Sequence, residues 1–93
     1  LNNSYLGMVR QWQEMFMEKR YSFTRLENPD FTEIATAYKI RSRKVENRAD
    51  LRQAIDEMML SREAFLLEVV VQMEENVLPM VPAGAPLSNI IYE

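Results

Sequence analysis

The chain contains no cysteine, so no disulfide framework, thiolate nucleophile or zinc–thiolate site can be built from it. Histidine is absent too, which removes the commonest general base and metal ligand. No apolar run approaches the length of a membrane span and no signal-peptide pattern opens the sequence, so no membrane partner and a cytoplasmic location are expected. With a net charge of −3 and no run of basic residues longer than two, nucleic acid is not an expected partner either. Arg41, Arg43 and Lys44 form the densest basic cluster, and it reads as solvated surface.

What remains is an ordinary globular composition. Hydrophobic residues at 47% and charged residues at 27% argue against wholesale disorder. Ninety-three residues make one small domain or a piece of a larger one, and such a chain buries only ~60–65% of the surface it exposes when unfolded. A first helix is predicted from Gly7 to Glu18, with Met8, Val9, Trp12, Met15 and Phe16 sharing one face. After a polar connection ending at Pro29, Asp30 opens a second helix with Glu33 in an acidic variant of the capping box. Its inner stripe is Phe31, Ile34, Ala35 and Tyr38. A short exposed strand is predicted over Ser42–Glu46. Asn47 and Asp50 then repeat the capping arrangement before a third helix, whose apolar face is Leu51, Ala54, Ile55, Met58 and Met59.

The run "AFLLEVVVQ" suits a strand buried on both faces of a helix-covered sheet. Helix, helix, strand, helix, strand is the order of an α/β protein, the later part of a doubly wound parallel sheet. The tail "EENVLPMVPAGAPLSNIIYE" holds three prolines and one glycine. It is predicted to lie extended across a surface.

Three features invite chemistry. Asn2 and Asn3 stand where a strand closes, and ligands of open parallel sheets bind beyond the carboxyl ends of strands. A helix head follows, suited to a phosphate. An asparagine oxygen is acceptable to a hard cation such as magnesium, yet Asn-Asn at a strand end is more often the chemistry of a turn, and the residues alone favour the turn. Trp12, on the same helical face as Met8 and Val9, reads as core. Asp56–Glu57 and Glu74–Glu75 read as solvated charge, whereas Glu68 interrupts an apolar strand and needs a partner, most simply a structural hydrogen bond.

The stretch "NNSYLGMVRQWQEMFMEKRYSFT" resembles the segment after the thiamine-diphosphate strand in acetohydroxyacid synthase (acetolactate synthase) catalytic large subunits. The resemblance continues through "NPDFTEIATAY" and "FLLEVVV" to "EENVLPMVPAGAPL" and so covers nearly the whole chain. It implies a partial doubly wound parallel sheet of the thiamine-diphosphate-binding fold over residues 1–73, with residues 74–93 as an extended tail packed on it. Asn3 then corresponds to the asparagine that closes the family's cofactor motif and ligates magnesium. Tyr5 supplies a main-chain carbonyl, and Asn2 is a structural amide. Gly7 and Met8 border the cofactor; Met8 and Trp12 line the pocket of the second 2-ketoacid, and Trp12 favours the larger 2-ketobutyrate.

The Gly-Asp-Gly that begins the motif is not in the chain, so a C-terminal fragment is expected, silent alone and carrying no catalytic residue of its own. The implied parent decarboxylates pyruvate and condenses the remaining two-carbon unit with pyruvate or 2-ketobutyrate, in branched-chain amino-acid biosynthesis. FAD bound outside this segment, a homodimer of catalytic subunits and a regulatory small subunit also follow from the resemblance. Two rivals stand beside it: another thiamine-diphosphate decarboxylase or carboligase, such as an oxidase of pyruvate, and a non-enzymatic α/β interaction module.

Overall fold

A computed structural model describes all 93 residues. Helix α1 spans Gly7–Phe16, α2 Phe31–Ala37 and α3 Arg48–Leu60; strand β1 spans Arg41–Val45 and β2 Phe65–Val69. The two strands run parallel in register from Arg41 beside Phe65 to Val45 beside Val69, joined by α3 as a parallel pair requires. Both α2 and α3 pack on this pair. The element order and the α/β class are those predicted, and no helix is long and apolar enough to cross a membrane.

The sheet does not stop at β2. Asn2 lies along its other edge, donating its N–H to the Val69 carbonyl at 2.9 Å and accepting from the Val71 N–H at 2.9 Å. The opening residues therefore flank β2 on the side away from β1. β2 is nonetheless only half-buried apart from Glu68, not enclosed on both faces as its composition predicted.

The elements end where the backbone demands it. Helix α1 stops two residues before the predicted Glu18, because Glu18 and Lys19 adopt positive φ of 54° and 59°. Asp30 caps α2 as expected, accepting from the Thr32 and Glu33 N–H groups at 2.8 and 3.1 Å. Asn47 does not repeat this at α3: its side chain makes no capping bond, and only its carbonyl accepts from the Asp50 N–H. Arg41 and Arg43 converge on Glu57 at 2.9 and 3.0 Å, tying α3 to β1. The basic cluster is thus partly neutralised rather than free.

Side-chain burial departs furthest from the sequence expectation. Only Ala35, Val45 and Ala54 are buried apolar residues; Arg10, Gln11, Gln13, Thr24 and Glu68 are buried polar ones. The stripe on α2 narrows to Ala35 and half-buried Phe31, with Ile34 and Tyr38 exposed; on α3 it narrows to Leu51, Ala54 and Met58. Helix α1 is inverted. Its predicted face of Met8, Val9, Trp12 and Phe16 looks outward, while Arg10, Gln11 and Gln13 look in. Periodicity shows which residues share a face, but which face turns inward depends on available partners, and here both glutamines find backbone groups to bond.

The tail after β2 forms one short 3-10 turn, Leu87–Asn89, and a two-residue antiparallel contact between Met80 and Ile91. It crosses α1, where Gln11 Nε2 donates to the Val77 carbonyl at 3.1 Å and Gln11 Oε1 accepts from the Val77 N–H at 2.8 Å. Arg10 adds a 2.7 Å bond to Asn76. The radius of gyration is 17.3 Å, against ~12 Å for a compact chain of this length.

Candidate functional site

Residues Asn2 to Tyr5 make two successive turns in which each asparagine side chain bonds the backbone two residues on. Asn2 Oδ1 accepts from the Ser4 N–H at 2.9 Å, and Asn3 Oδ1 from the Tyr5 N–H at 3.0 Å. Ser4 bears the left-handed conformation between them, with φ 57°. The turn chemistry read from the sequence is therefore present at both asparagines.

The two amides differ in what they have left. Asn2 uses both ends of its amide: its Oδ1 also accepts from Asn28 Nδ2 at 2.8 Å, and its Nδ2 donates to Glu68. Glu68 thereby gains the partner that a buried carboxylate needs. Asn3 makes a single side-chain bond, so one lone pair of its oxygen remains free. Its Nδ2 lies so near Gly7 that a Cβ built there would come within 3.1 Å. The close approach of the Asn3 amide to the helix head thus depends on the absence of a side chain at position 7.

The head of α1 is open. Leu6 at the cap position offers no side-chain acceptor and the first turn holds no acidic residue, so the N–H groups of Gly7, Met8 and Val9 have no acceptor in the chain. Unpaired amides and the helix dipole favour an anion there. The Tyr5 carbonyl likewise accepts no hydrogen bond. Asn3 and Ser4 border an open hollow of about 490 Å³ with Val70, Val71 and Gln72, beyond the carboxyl end of β2. A neutral amide oxygen at this hollow is thus followed closely in the chain by a free carbonyl and an uncapped helix head, with the Asn3 amide against Gly7. No cluster of three acidic or histidine side chains occurs anywhere in the chain, so a cation here would need the charge of its anionic partner.

Two glutamines hold this arrangement in place. Gln13 donates to the Ser22 carbonyl at 2.9 Å and accepts from Ser22 N–H and Thr24 Oγ1, both at 3.2 Å. The strip it grips pairs in turn with the site: Leu6 N–H reaches Thr24 at 2.8 Å, and Leu26 N–H reaches Ser4 at 2.8 Å. Gln11 grips the tail on the other flank. Trp12 lies between them and stays 48% exposed, in an outward row with Met8 and Phe16 at helical spacing. Burial of Trp12 in a core, the reading its helical face suggested, does not occur within this chain.

Arg10, Asn28 and Thr24 were not singled out by sequence reasoning, because hydropathy carries no signal for a buried polar side chain. Arg10 bonds Glu14 at 2.7 Å and lies 5.9 Å from the Tyr21 ring centre. Burial pushes the Glu14 carboxyl up, but hydrogen bonds from Arg10 and Asn76 outweigh it and hold the group below the usual carboxylate range.

Residues 1–69 match the family described as "Thiamine pyrophosphate enzyme, C-terminal TPP binding domain". The chain is 44% identical over 91 residues to "Acetolactate synthase, mitochondrial" of Schizosaccharomyces pombe, an alignment covering 98% of this chain and 14% of that protein. It is 42% identical over 92 residues to "Acetolactate synthase isozyme 2 large subunit" of Escherichia coli K12, covering 98% of this chain and 17% of that protein. For "Probable acetolactate synthase large subunit" of Methanocaldococcus jannaschii the identity is 37% over 91 residues, covering 97% of this chain and 15% of the relative. The chain thus spans between 14% and 17% of the length of these relatives. With three quarters of its length inside the matched region, and a two-stranded parallel sheet flanked by helices, the chain belongs to the thiamine pyrophosphate enzyme family through its C-terminal TPP-binding domain.

Proposed function

We propose that the chain is the C-terminal part of an acetolactate synthase catalytic subunit, which decarboxylates pyruvate and condenses the remaining two-carbon unit with pyruvate or 2-ketobutyrate in branched-chain amino-acid biosynthesis. The observation that carries this reading is the similarity of the chain along almost its whole length to acetolactate synthases, and the succession of Asn3, the unbonded Tyr5 carbonyl and the open head of α1 supports it. Residues 1–73 are read as the end of the cofactor-binding domain and residues 74–93 as its tail.

The donor set fits a magnesium diphosphate. Asn3 Oδ1 and the Tyr5 carbonyl are neutral oxygens and would hold the cation, while the N–H groups of Gly7 and Met8 would receive the diphosphate. Thiamine diphosphate, when bound, supplies the electron sink that decarboxylation of a 2-ketoacid requires. The chain's own part is to anchor and to select. Gly7 leaves room for the Asn3 amide against the helix head. Met8 and Trp12, exposed on one side of α1, would wall the pocket for the second 2-ketoacid, where an added methylene is worth ~1–3 kcal/mol in discrimination. No residue here is assigned proton transfer. FAD belongs outside these residues. A catalytic homodimer and a regulatory small subunit are proposed partners, the latter supported by the words "large subunit" in two relatives' names.

The test is product analysis on the intact parent protein with pyruvate plus 2-ketobutyrate, thiamine diphosphate and magnesium. Acetolactate and acetohydroxybutyrate are expected, and the isolated 93 residues should form neither. Acetyl phosphate or free acetaldehyde as the main product would place the parent among other thiamine-diphosphate enzymes, and failure to bind the cofactor would make the α/β unit an interaction module. The proposal includes a cytoplasmic location, which cell fractionation checks; recovery of the parent in an organelle overturns that part.

A further inference from the structure

We infer that Glu68, a buried carboxylate in the middle of β2, is a positioning residue for the cation site at Asn3 and Tyr5; this rests on the proposed function. Glu68 is 7% exposed and stands among Leu66, Leu67 and Val69, where an aliphatic side chain would suit the strand better. Lys44 sits across from it in the sheet register, but the Lys44 ammonium is paired with Glu46 at 3.3 Å. The one hydrogen-bond partner of Glu68 is Asn2 Nδ2.

That bond decides which way round the Asn2 amide sits. An ionised carboxylate only accepts hydrogen bonds, so it draws the NH₂ end of Asn2 to itself and leaves the oxygen end facing the Ser4 N–H. With the amide reversed, its NH₂ end would meet the Ser4 N–H and its oxygen end the carboxylate, so the turn would lose its bond to Ser4 and Glu68 its side-chain partner. Asn2 is also held through its own N–H and carbonyl to β2. Asn3 therefore lies between two fixed residues, Asn2 before it and Ser4 after it. The free lone pair of its oxygen is aimed by the bond from the Tyr5 N–H and by the fixed residues on either side of it. Groups behind a metal ligand commonly act in this way, fixing its orientation without touching the ion.

The experiment uses the intact parent protein with thiamine diphosphate present and Mn²⁺ as a paramagnetic probe of the cation site. Spectroscopic titration gives the Mn²⁺ dissociation constant directly, and thermal melting is followed in parallel. Glu68→Ala should weaken Mn²⁺ about 10–100-fold, with kcat at saturating metal and cofactor kept within about twofold. Glu68→Gln, whose amide oxygen can still accept from Asn2, should restore most of the affinity. A role confined to packing would lower the melting temperature of Glu68→Ala and leave the Mn²⁺ constant at the wild-type value, which overturns the inference. Equal losses in Glu68→Gln and Glu68→Ala would also overturn it, since the accepting oxygen would then not be what matters. Should Glu68→Ala fail to fold, Asn2→Ala removes the amide through which Glu68 acts, and an unchanged Mn²⁺ constant there is equally fatal. A wild-type parent that takes up no Mn²⁺ with the cofactor present refutes the proposed function itself, a result distinct from all of these.

Discussion

Replacing Gln11 by methionine isolates what one buried amide does for the tail. Methionine has a similar length and high helix propensity, so α1 keeps its shape and the space near Met15 and Met80 stays filled. What disappears is the pair of bonds to Val77, at 2.8 and 3.1 Å. Each is worth ~0.5–1.5 kcal/mol net, so the pair contributes ~1–3 kcal/mol to docking of the tail. Val77 is 63% exposed, so water can replace the lost partners when the tail lifts, which places the effect toward the lower half of that range. About 1.4 kcal/mol corresponds to a tenfold change in the closed-to-open ratio. Hydrogen exchange in the intact protein reads this directly. The Val77 amide should lose about tenfold of its protection, while the Asn2 and Val70 amides, bonded within the sheet, keep theirs. Unchanged protection at Val77 refutes the reasoning, and so does a loss shared equally by the sheet amides.

Gly7→Ala would bring a Cβ to 3.1 Å from Asn3 Nδ2, so the amide must shift by a few tenths of an ångström; metal titration of the parent should show weaker binding with little change in melting temperature. Asp30 has its carboxyl held below the usual range by bonds from Thr32 Oγ1 and then from the Glu33 and Thr32 N–H groups. Its stabilisation is complete above the ordinary carboxylate pKa and is lost as the pH falls through the depressed one. Asp30→Asn should therefore flatten the acid limb of a melting-temperature profile while keeping the cap, and an unchanged limb refutes this. Trp12→Leu should lower the ratio of acetohydroxybutyrate to acetolactate formed from competing ketoacids by about 5-fold or more, with no loss of stability, because the side chain is half-exposed. Equal ratios in the two proteins would remove Trp12 from the pocket.

The order of elements was legible because helical and strand runs differ in period and are separated by Pro29, Asp30 and Asn47. Their ends were less so. Positive φ at Glu18 and Lys19 stops α1 early, and no glycine or asparagine at those positions announces it. The cap at Asp30 was readable and the one at Asn47 was not, because the same residue type can leave its side chain unused. At the candidate site, Asn3, Tyr5, Gly7 and Met8 lie close in sequence, and their meeting at a strand end follows from local geometry. The contacts that hold them come from 26 and 66 residues away, at Asn28 and Glu68, and only the fold brings them in. The inward face of α1 was the main misreading: a stripe of methionine and tryptophan looks like core unless glutamine has backbone to grip.

Five of the eight most enclosed residues are polar, and the apolar three are two alanines and a valine. A mutational scan of this segment would accordingly run against habit. Tyr38, Met59 and Leu60 should tolerate charge, while Gln11 and Gln13 should resist even alanine. Anyone engineering the chain from hydropathy alone would protect the wrong positions and edit the wrong ones.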